Sequence, residues 1–444
     1  MNKETCIYVA GHTGLVGSAI VRQLKNKGYF NIITKTHDEL DLTDQAAVKK
    51  FFKEQHPQVV ILAAAMVGGI KANNIYRGEF IMKNMQIQCN VISEAYNNKV
   101  EKLLFLGSSC IYPKNADQPI SEKSLLTGEL EYTNEPYAIA KIAGLKMCES
   151  YNMQFCTNYI SVMPTNLYGY NDNFSLSNSH VLPGIIRRMH LGKLLRNRDF
   201  ASIREDIKKR PLSTKKESDI IINSYKDWQL EEILSEYDIY EDCVKLWGTG
   251  TPLREFMWSD DLADACVYIM EKVDFQDILK ITKQEGSYEI RNCHINIGTG
   301  EEYTIKQLAE KIAKAVGYTG NILFNTNQLD GTPRKLLNCD TLHELGWKHK
   351  VSIDEGIEKL YQWYNLENQN IEILNKAKDY QISKEGQNIS TKDLNDAYIA
   401  GAKEQFNMTA DTLYKYFSEN TFFDHNGKRV FFNAKWFNEH FRSI

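Results

Sequence analysis

Residues Cys6 to Gly17 read CIYVAGHTGLVG. A short apolar run feeds into glycines at 11, 14 and 17, and residues Gly14 to Lys27 then follow a helical spacing. A strand that turns tightly into a helix through glycines is the setting a dinucleotide fingerprint requires. Gly11, His12, Thr13, Gly14, Leu15, Val16 and Gly17 are therefore candidates for holding a cofactor. The glycines permit the turn and let backbone N–H groups approach a pyrophosphate at the positive end of the helix. The spacing is G-x-x-G-x-x-G, and its plainer reading is a strand-to-helix turn with no ligand.

Outward from this stretch, strand-like and helical segments alternate. Asn31 to Lys35 reads as a second strand, Ala46 to Glu54 as a helix, and Gln58 to Ala65 and Lys102 to Gly107 as further strands. HINIG at 294–298 and a helix from Thr304 to Val316 return later. The pattern predicts an α/β fold with a doubly wound, Rossmann-like parallel sheet, its first domain covering 1–170. Residues 194–243 are rich in charge and read as an insertion of helical segments joined by an exposed basic linker. Residues 366–444 form a polar tail with helical periods, expected to be a helical C-terminal extension.

Composition narrows the function. With 444 residues and 43% hydrophobic content the chain fills two or three domains, and a formal net charge of -4 argues against a nucleic-acid binder or a polybasic membrane protein. Nine dispersed cysteines, without a C-x-x-C pair or zinc spacing, read as free thiols in a reducing cytoplasm and predict no metal site. No run of 18 apolar residues occurs, and the N-terminus lacks a charged head followed by an apolar core. A soluble, intracellular protein is expected.

The stretch LGSSCIYP, Leu106 to Pro113, places two hydroxyls and a thiol at the end of a buried strand. In a parallel sheet that end opens onto the ligand crevice, so Ser108, Ser109 and Cys110 are expected to face a substrate, with Leu106, Gly107 and Ser108 expected to border the cofactor. The alternative for Cys110 is a small buried apolar residue. Tyr137 and Lys141 stand one helical turn apart. A neighbouring ammonium favours a phenolate, which would lower the Tyr137 pKa toward a value useful for proton donation to a carbonyl. Ser108, Tyr137 and Lys141 together make a ketone-reducing set.

After the second strand the sequence runs Lys35-Thr36-His37-Asp38 and offers both signs of charge, so NADP and NAD are both open there. Asp41 and Leu42 suit the adenine edge, or with Asp44 they cap the next helix.

At these residues the chain resembles the extended short-chain dehydrogenase/reductases, and in longer blocks the GDP-L-fucose synthase family. YVAGH, VGSAIVRQL, DELDL, LGSSCIYP, TNEPYAIAKIAG, SVMPTNLYG, NSHVLP, LWGTGTPLREF, HINIGTG and DGTPRKLL carry the likeness, from about residue 5 to 365. The resemblance implies a smaller α/β substrate-binding domain over 171–365, interleaved with the first and carrying the insertion. It implies epimerisation of GDP-4-keto-6-deoxy-D-mannose at C3 and C5, then reduction at C4 by NADPH, in a homodimer. Cys110 is then the expected base and His180 the expected acid on opposite sides of the sugar ring. Ser108 and Tyr137 hold the ketone oxygen.

The resemblance places Pro164, Thr165, Asn166, Leu167 and His180 with Lys141 beside the cofactor. Arg188, Trp247, Arg254 and Asp330 fall at the GDP end, where cations pair with a diphosphate and a tryptophan stacks on a base. Family members commonly carry arginines at the positions of Thr13 and His37, which leaves NAD possible here. Two other readings stand beside this one: the same chemistry on another GDP-4-keto sugar such as a 6-deoxy-heptose, and a non-catalytic nucleotide sensor on the same fold.

Overall fold

The computed structural model describes residues 1–212, 225–328 and 330–366, with the backbone of 422–423 and 429–430. Two units are present, Met1–Trp363 and Tyr364–Ile444. In the first, β1 (Ile7–Ala10), β2 (Ile32–Ile33), β3 (Val59–Leu62), β4 (Lys102–Leu106), β5 (Tyr159–Pro164) and β9 (Ile295–Ile297) form one parallel sheet in the order β2-β1-β3-β4-β5-β9.

Successive side chains of each strand point to opposite faces, and both faces are covered. Ile7, Val9, Ile61, Leu104 and Leu106 pack with α1 (Leu15–Asn26) and the helix Ser259–Lys272. Tyr8, Ala10, Val60, Leu62, Leu103 and Phe105 pack on the other side. Their partners are α2 (Gln45–Gln55), α4 (Arg77–Asn97), which follows the short α3 (Ile70–Ile75), and α5 (Glu135–Phe155). Burial on both faces is why these strands read as unbroken apolar runs.

Local signals set the helix ends. Asp44 caps α2 by accepting from Ala46 N at 2.9 Å and Ala47 N at 3.1 Å. Thr304 and Gln307 form a reciprocal capping box at the start of the helix Ile305–Val316, which Gly317 ends at φ 71°. The chain runs from β1 to β2 and then crosses back to β3 on the other flank of β1. This reversal opens a crevice at the carboxyl ends of β1 and β3.

A second, mixed sheet is built on β8 (Leu253–Trp258). β6 (Asn166–Tyr168) and β12 (Arg334–Lys335) run parallel to it, and β10 (Glu302–Thr304) runs antiparallel. β7 (Cys243–Trp247) pairs in parallel with β11 (Asn321–Asn325). The two sheets interleave along the chain, since β6 follows β5 after one residue and β9 returns to the first sheet.

Helix α6 (Val181–Arg196) leads into the expected insertion, where α7 (Phe200–Lys209) and the helix Asp227–Ser235 bury Ile203, Ile207, Leu230 and Leu234. The i, i+4 spacing of these apolar pairs gives each helix a packed stripe. Most of the expected basic linker, 213–224, lies outside the described residues. The expected helical tail over 366–444 also falls mainly outside them; in that unit Phe422–Phe423 and Arg429–Val430 pair as antiparallel strands. No helix among the described residues is long and apolar enough to cross a membrane.

Candidate active site

The fingerprint turn lies at the carboxyl end of β1. Gly11 has φ +83°, and a Cβ there would come within 2.7 Å of Ala64 N. A Cβ on Gly17 would sit 2.1 Å from Gly11 O, so that position admits no side chain. Gly14 precedes α1, is exposed, and puts no side-chain cap on the first-turn N–H groups. His12 Nδ1 is a buried polar atom without a hydrogen-bond partner among the described residues. A bare, uncapped helix start beside an unsatisfied polar atom fits a dinucleotide diphosphate.

At the end of β2, Lys35 Nζ lies 3.4 Å from Glu39, and exposed His37 lies 3.9 Å from Asp41. Asp41 accepts from Thr43 N at 2.8 Å and Thr43 Oγ1 at 2.7 Å, bonds that hold its carboxyl below the usual range. Asp41 thus closes its own turn and Asp44 caps α2. Leu42 is buried, and its carbonyl accepts from Asn90 Nδ2 at 2.9 Å.

Across the crevice, β4 ends at Leu106. Gly107 is packed so tightly that a Cβ would overlap Met163 Cε at 2.2 Å. Ser108 is extended, its Oγ accepts from Cys110 N at 3.3 Å, and a single 3-10 turn, Ser109–Ile111, carries the buried Cys110. Lys141 Nζ donates to Leu106 O at 2.7 Å and stands 5.8 Å from the centroid of the Tyr137 ring. Tyr137 occupies the first turn of α5, edge-on to Phe80 with ring centroids 6.4 Å apart. The structure therefore gathers Ser108, Cys110, Tyr137 and Lys141 at one strand end.

The electrostatics correct one expectation. Burial, with the Cys110 charge adding to it, pushes the Tyr137 phenol up, whereas the sequence suggested that Lys141 would pull it down. Burial also brings Lys141 down to about 8, outweighing the pull of Cys110 in the other direction. The Cys110 thiol is raised by burial, against which Lys335, Ser108 and Lys141 all pull.

Pro164 ends β5 and Thr165 to Leu167 enter β6. Thr165 Oγ1 and Asn166 Nδ2 donate to Glu255 O at 3.3 and 2.8 Å. The Glu255 carboxylate is wholly buried and accepts from Thr299 N at 2.6 Å, Gly300 N at 2.8 Å and Leu337 N at 3.2 Å. A Cβ on Gly298 would lie 2.3 Å from it. Glu255 thus ties three segments together, two through its carboxylate and one through its carbonyl.

His180 is exposed at the start of α6, its pKa lowered by desolvation, and no hydrogen bond joins it to Cys110. Two turns into α6, Arg188 donates to Leu176 O at 2.7 Å and Gly184 O at 3.3 Å. Trp247, Arg254 and Asp330 come together. Asp330 accepts from Thr249 N at 3.0 Å, a Cβ on Gly248 would lie 2.1 Å from Asp330 Oδ1, and Asp330 opposes burial in keeping Arg254 charged. Trp247 is 58% exposed, in keeping with a stacking surface and against a core aromatic.

The profile of the NAD dependent epimerase/dehydratase family matches residues 7–207 and 229–283. The chain belongs to this family. It is 48% identical to the putative GDP-L-fucose synthase 2 of Arabidopsis thaliana over 83% of this chain and 94% of that protein. It is 46% identical to the GDP-L-fucose synthase of Escherichia coli (strain K12), over 83% of this chain and 98% of the relative. Among solved structures, MlghC, a GDP-mannoheptose C4 reductase from Campylobacter jejuni with NADP bound, superposes with TM-score 0.71 at 41% identity, covering 82% and 99% of the two chains.

Within this epimerase/dehydratase frame, two residues of the site carried no role in the sequence reading. Lys335 and Glu255 both lie in blocks that resemble the GDP-L-fucose synthases, DGTPRKLL and LREF. The one sequence signal for Glu255 is a carboxylate inside a strand, LREFMW, whose only other charge is Arg254. For Lys335 the signal is tertiary and no local pattern contains it.

Proposed function

We propose that this chain is a GDP-L-fucose synthase, epimerising GDP-4-keto-6-deoxy-D-mannose at C3 and C5 and then reducing the C4 ketone. The observation that carries the site assignment is the set Ser108, Cys110, Tyr137 and Lys141 at the end of β4. Ser108 and Tyr137 donate to the C4 oxygen, which makes protons on the adjoining carbons removable. Cys110, as thiolate, takes the proton from C3 and C5 in turn, and His180 delivers one to the opposite face. Tyr137 finally protonates the oxygen. Lys141, anchored on Leu106 O, fixes the first turn of α5 and supplies positive charge beside the phenol.

NADPH supplies the hydride. Gly11 to Gly17 hold its diphosphate, Lys35 and His37 face its ribose end, and Thr165 and Asn166 border its reactive end. Arg188, Trp247, Arg254 and Asp330 hold the GDP. The 41% identity to a GDP-mannoheptose C4 reductase makes a GDP-4-keto-heptose the second reading of the sugar.

The reading includes a homodimer in the cytoplasm. Exposed Met82 on α4 and Ile139 and Met153 on α5 support a partner face, and nine free thiols support a reducing compartment. Tyr137→Phe tests the site: NADPH oxidation falls by roughly 10²–10⁴-fold, while deuterium exchange at C3 and C5 falls by a smaller factor because Ser108 still donates to the C4 oxygen. Normal reduction in that variant overturns the assignment.

A further inference from the structure

We propose that Lys335 is a positioning residue for epimerisation, the cation that holds the Cys110 thiolate against its buried surroundings. This rests on the reading of Cys110 as the base. Three observations carry it. First, β12 pairs with β8 so that Lys335 lies opposite Arg254, and the half-buried Lys335 ammonium makes no ion pair among the described residues. Second, Lys335 is the foremost charge acting on Cys110, and Cys110 is the foremost charge favouring the ammonium of Lys335.

Third, the chain segments that carry the two residues are fastened to one side chain. Asn296 on β9 accepts from Tyr112 Oη at 2.5 Å, two residues beyond Cys110. Its Nδ2 donates to Ile120 O at 3.0 Å and to Asn338 O at 3.1 Å, three residues beyond Lys335. Its backbone N–H donates to Glu122 Oε1 at 3.1 Å, and His294 Nε2 lies 2.8 Å from Tyr112 Oη. Ile120 N donates to Leu336 O at 2.7 Å and Leu336 N to Gln118 Oε1 at 2.8 Å, closing the frame. All of Tyr112, Asn296 and His294 are buried, so the frame is held away from water.

The groups facing the thiol are Lys335 from β12, Lys141 and Tyr137 from α5, and Ser108 from its own turn. Those facing Lys335 are Cys110, Arg254 and Glu131. Lys141, which also pulls on the thiol, is held by Leu106 O, whereas Lys335 makes the larger contribution. In the step it serves, the thiolate takes a carbon-bound proton while the electron pair moves onto the ketone oxygen; the enolate carbon then takes a proton from His180 on the other face, and the Cys110 thiol gives its proton to water while His180 regains one, which restores both groups.

The test separates the two halves of the reaction. Deuterium incorporation at C3 and C5 in D2O, followed over pH, reads epimerisation; oxidation of GDP-L-fucose by NADP⁺ reads hydride transfer alone. Lys335→Met is expected to move the pH midpoint of exchange upward by about one unit and to lower exchange at neutral pH about tenfold. GDP-L-fucose oxidation at saturating substrate falls by a smaller factor, and Lys335→Arg returns the midpoint toward that of the unmodified enzyme. NADPH binding by fluorescence verifies that each variant is folded. An unmoved midpoint, or equal loss in both halves with only KM raised, overturns the proposal. Full exchange in Cys110→Ser shows that the base itself is misassigned, and then the role of Lys335 falls with it.

Discussion

Arg187 Nε donates to Asp206 Oδ1 at 2.9 Å, and both side chains are wholly buried. Arg187 Nη1 also donates to Phe174 O at 3.2 Å, and the ion pair fixes α7, in the expected insertion, to α6, which follows His180 and carries Arg188. Truncating Arg187 removes a buried charge-assisted bond and leaves Asp206 facing Arg210, 3.5 Å from its Oδ2. Arg187→Met is expected to cost about 3 kcal/mol of stability, measured by urea unfolding; a loss below about 1 kcal/mol contradicts the pinned arrangement.

Gly17→Ala is expected to remove cofactor binding. Its Cβ would need to occupy space 2.1 Å from Gly11 O, so either the turn opens or α1 moves off β1. Fluorescence titration should show NADPH affinity reduced at least about tenfold. Retained affinity would mean that the turn is looser than described.

Asp172 gives a pH dependence with a defined sign. Oδ1 accepts from Asn173 N at 2.7 Å, while Oδ2 is buried without a partner among the described residues. Burial pushes this carboxyl up to about 7 from 3.8. The folded state therefore keeps a proton that the unfolded state releases, and stability falls as pH rises through the window from about 4 to 7. Asp172→Asn should flatten that slope and raise the melting temperature at pH 8 but not at pH 4. A melting profile with the same slope in both proteins would contradict the protonated carboxyl.

Cys110→Ser should block deuterium exchange at C3 and C5 by at least about 10²-fold, with NADPH affinity changed far less. Serine keeps the size of the side chain and removes the ionisable thiol. Equal loss of exchange and cofactor binding would point to a packing role for Cys110.

The first sheet was legible because β1, β3, β4 and β9 are buried on both faces and appear as contiguous apolar runs, whereas β5 was not among the strands read. Local chemistry likewise marked α2 and the helix Ile305–Val316, each with its cap in the sequence. The mixed sheet was harder to read, since β10 and β12 have three and two residues and take their place only by pairing with β8. The Tyr137 and Lys141 spacing gave the proximity correctly. It gave the wrong direction for the phenol, because desolvation depends on what packs around α5 and leaves no periodic trace. Glu255 and Lys335 matter through segments distant in the chain, Thr165, Thr299 and Leu337 for one and Cys110 for the other.

The most direct test incubates the purified protein with GDP-4-keto-6-deoxy-D-mannose and NADPH or NADH in parallel, with the product identified by NMR. GDP-L-fucose formed faster with NADPH is the predicted result, and it would show that phosphate recognition does not need arginines at Thr13 and His37. No turnover of this sugar with either cofactor, alongside turnover of a GDP-4-keto-heptose, would contradict the account.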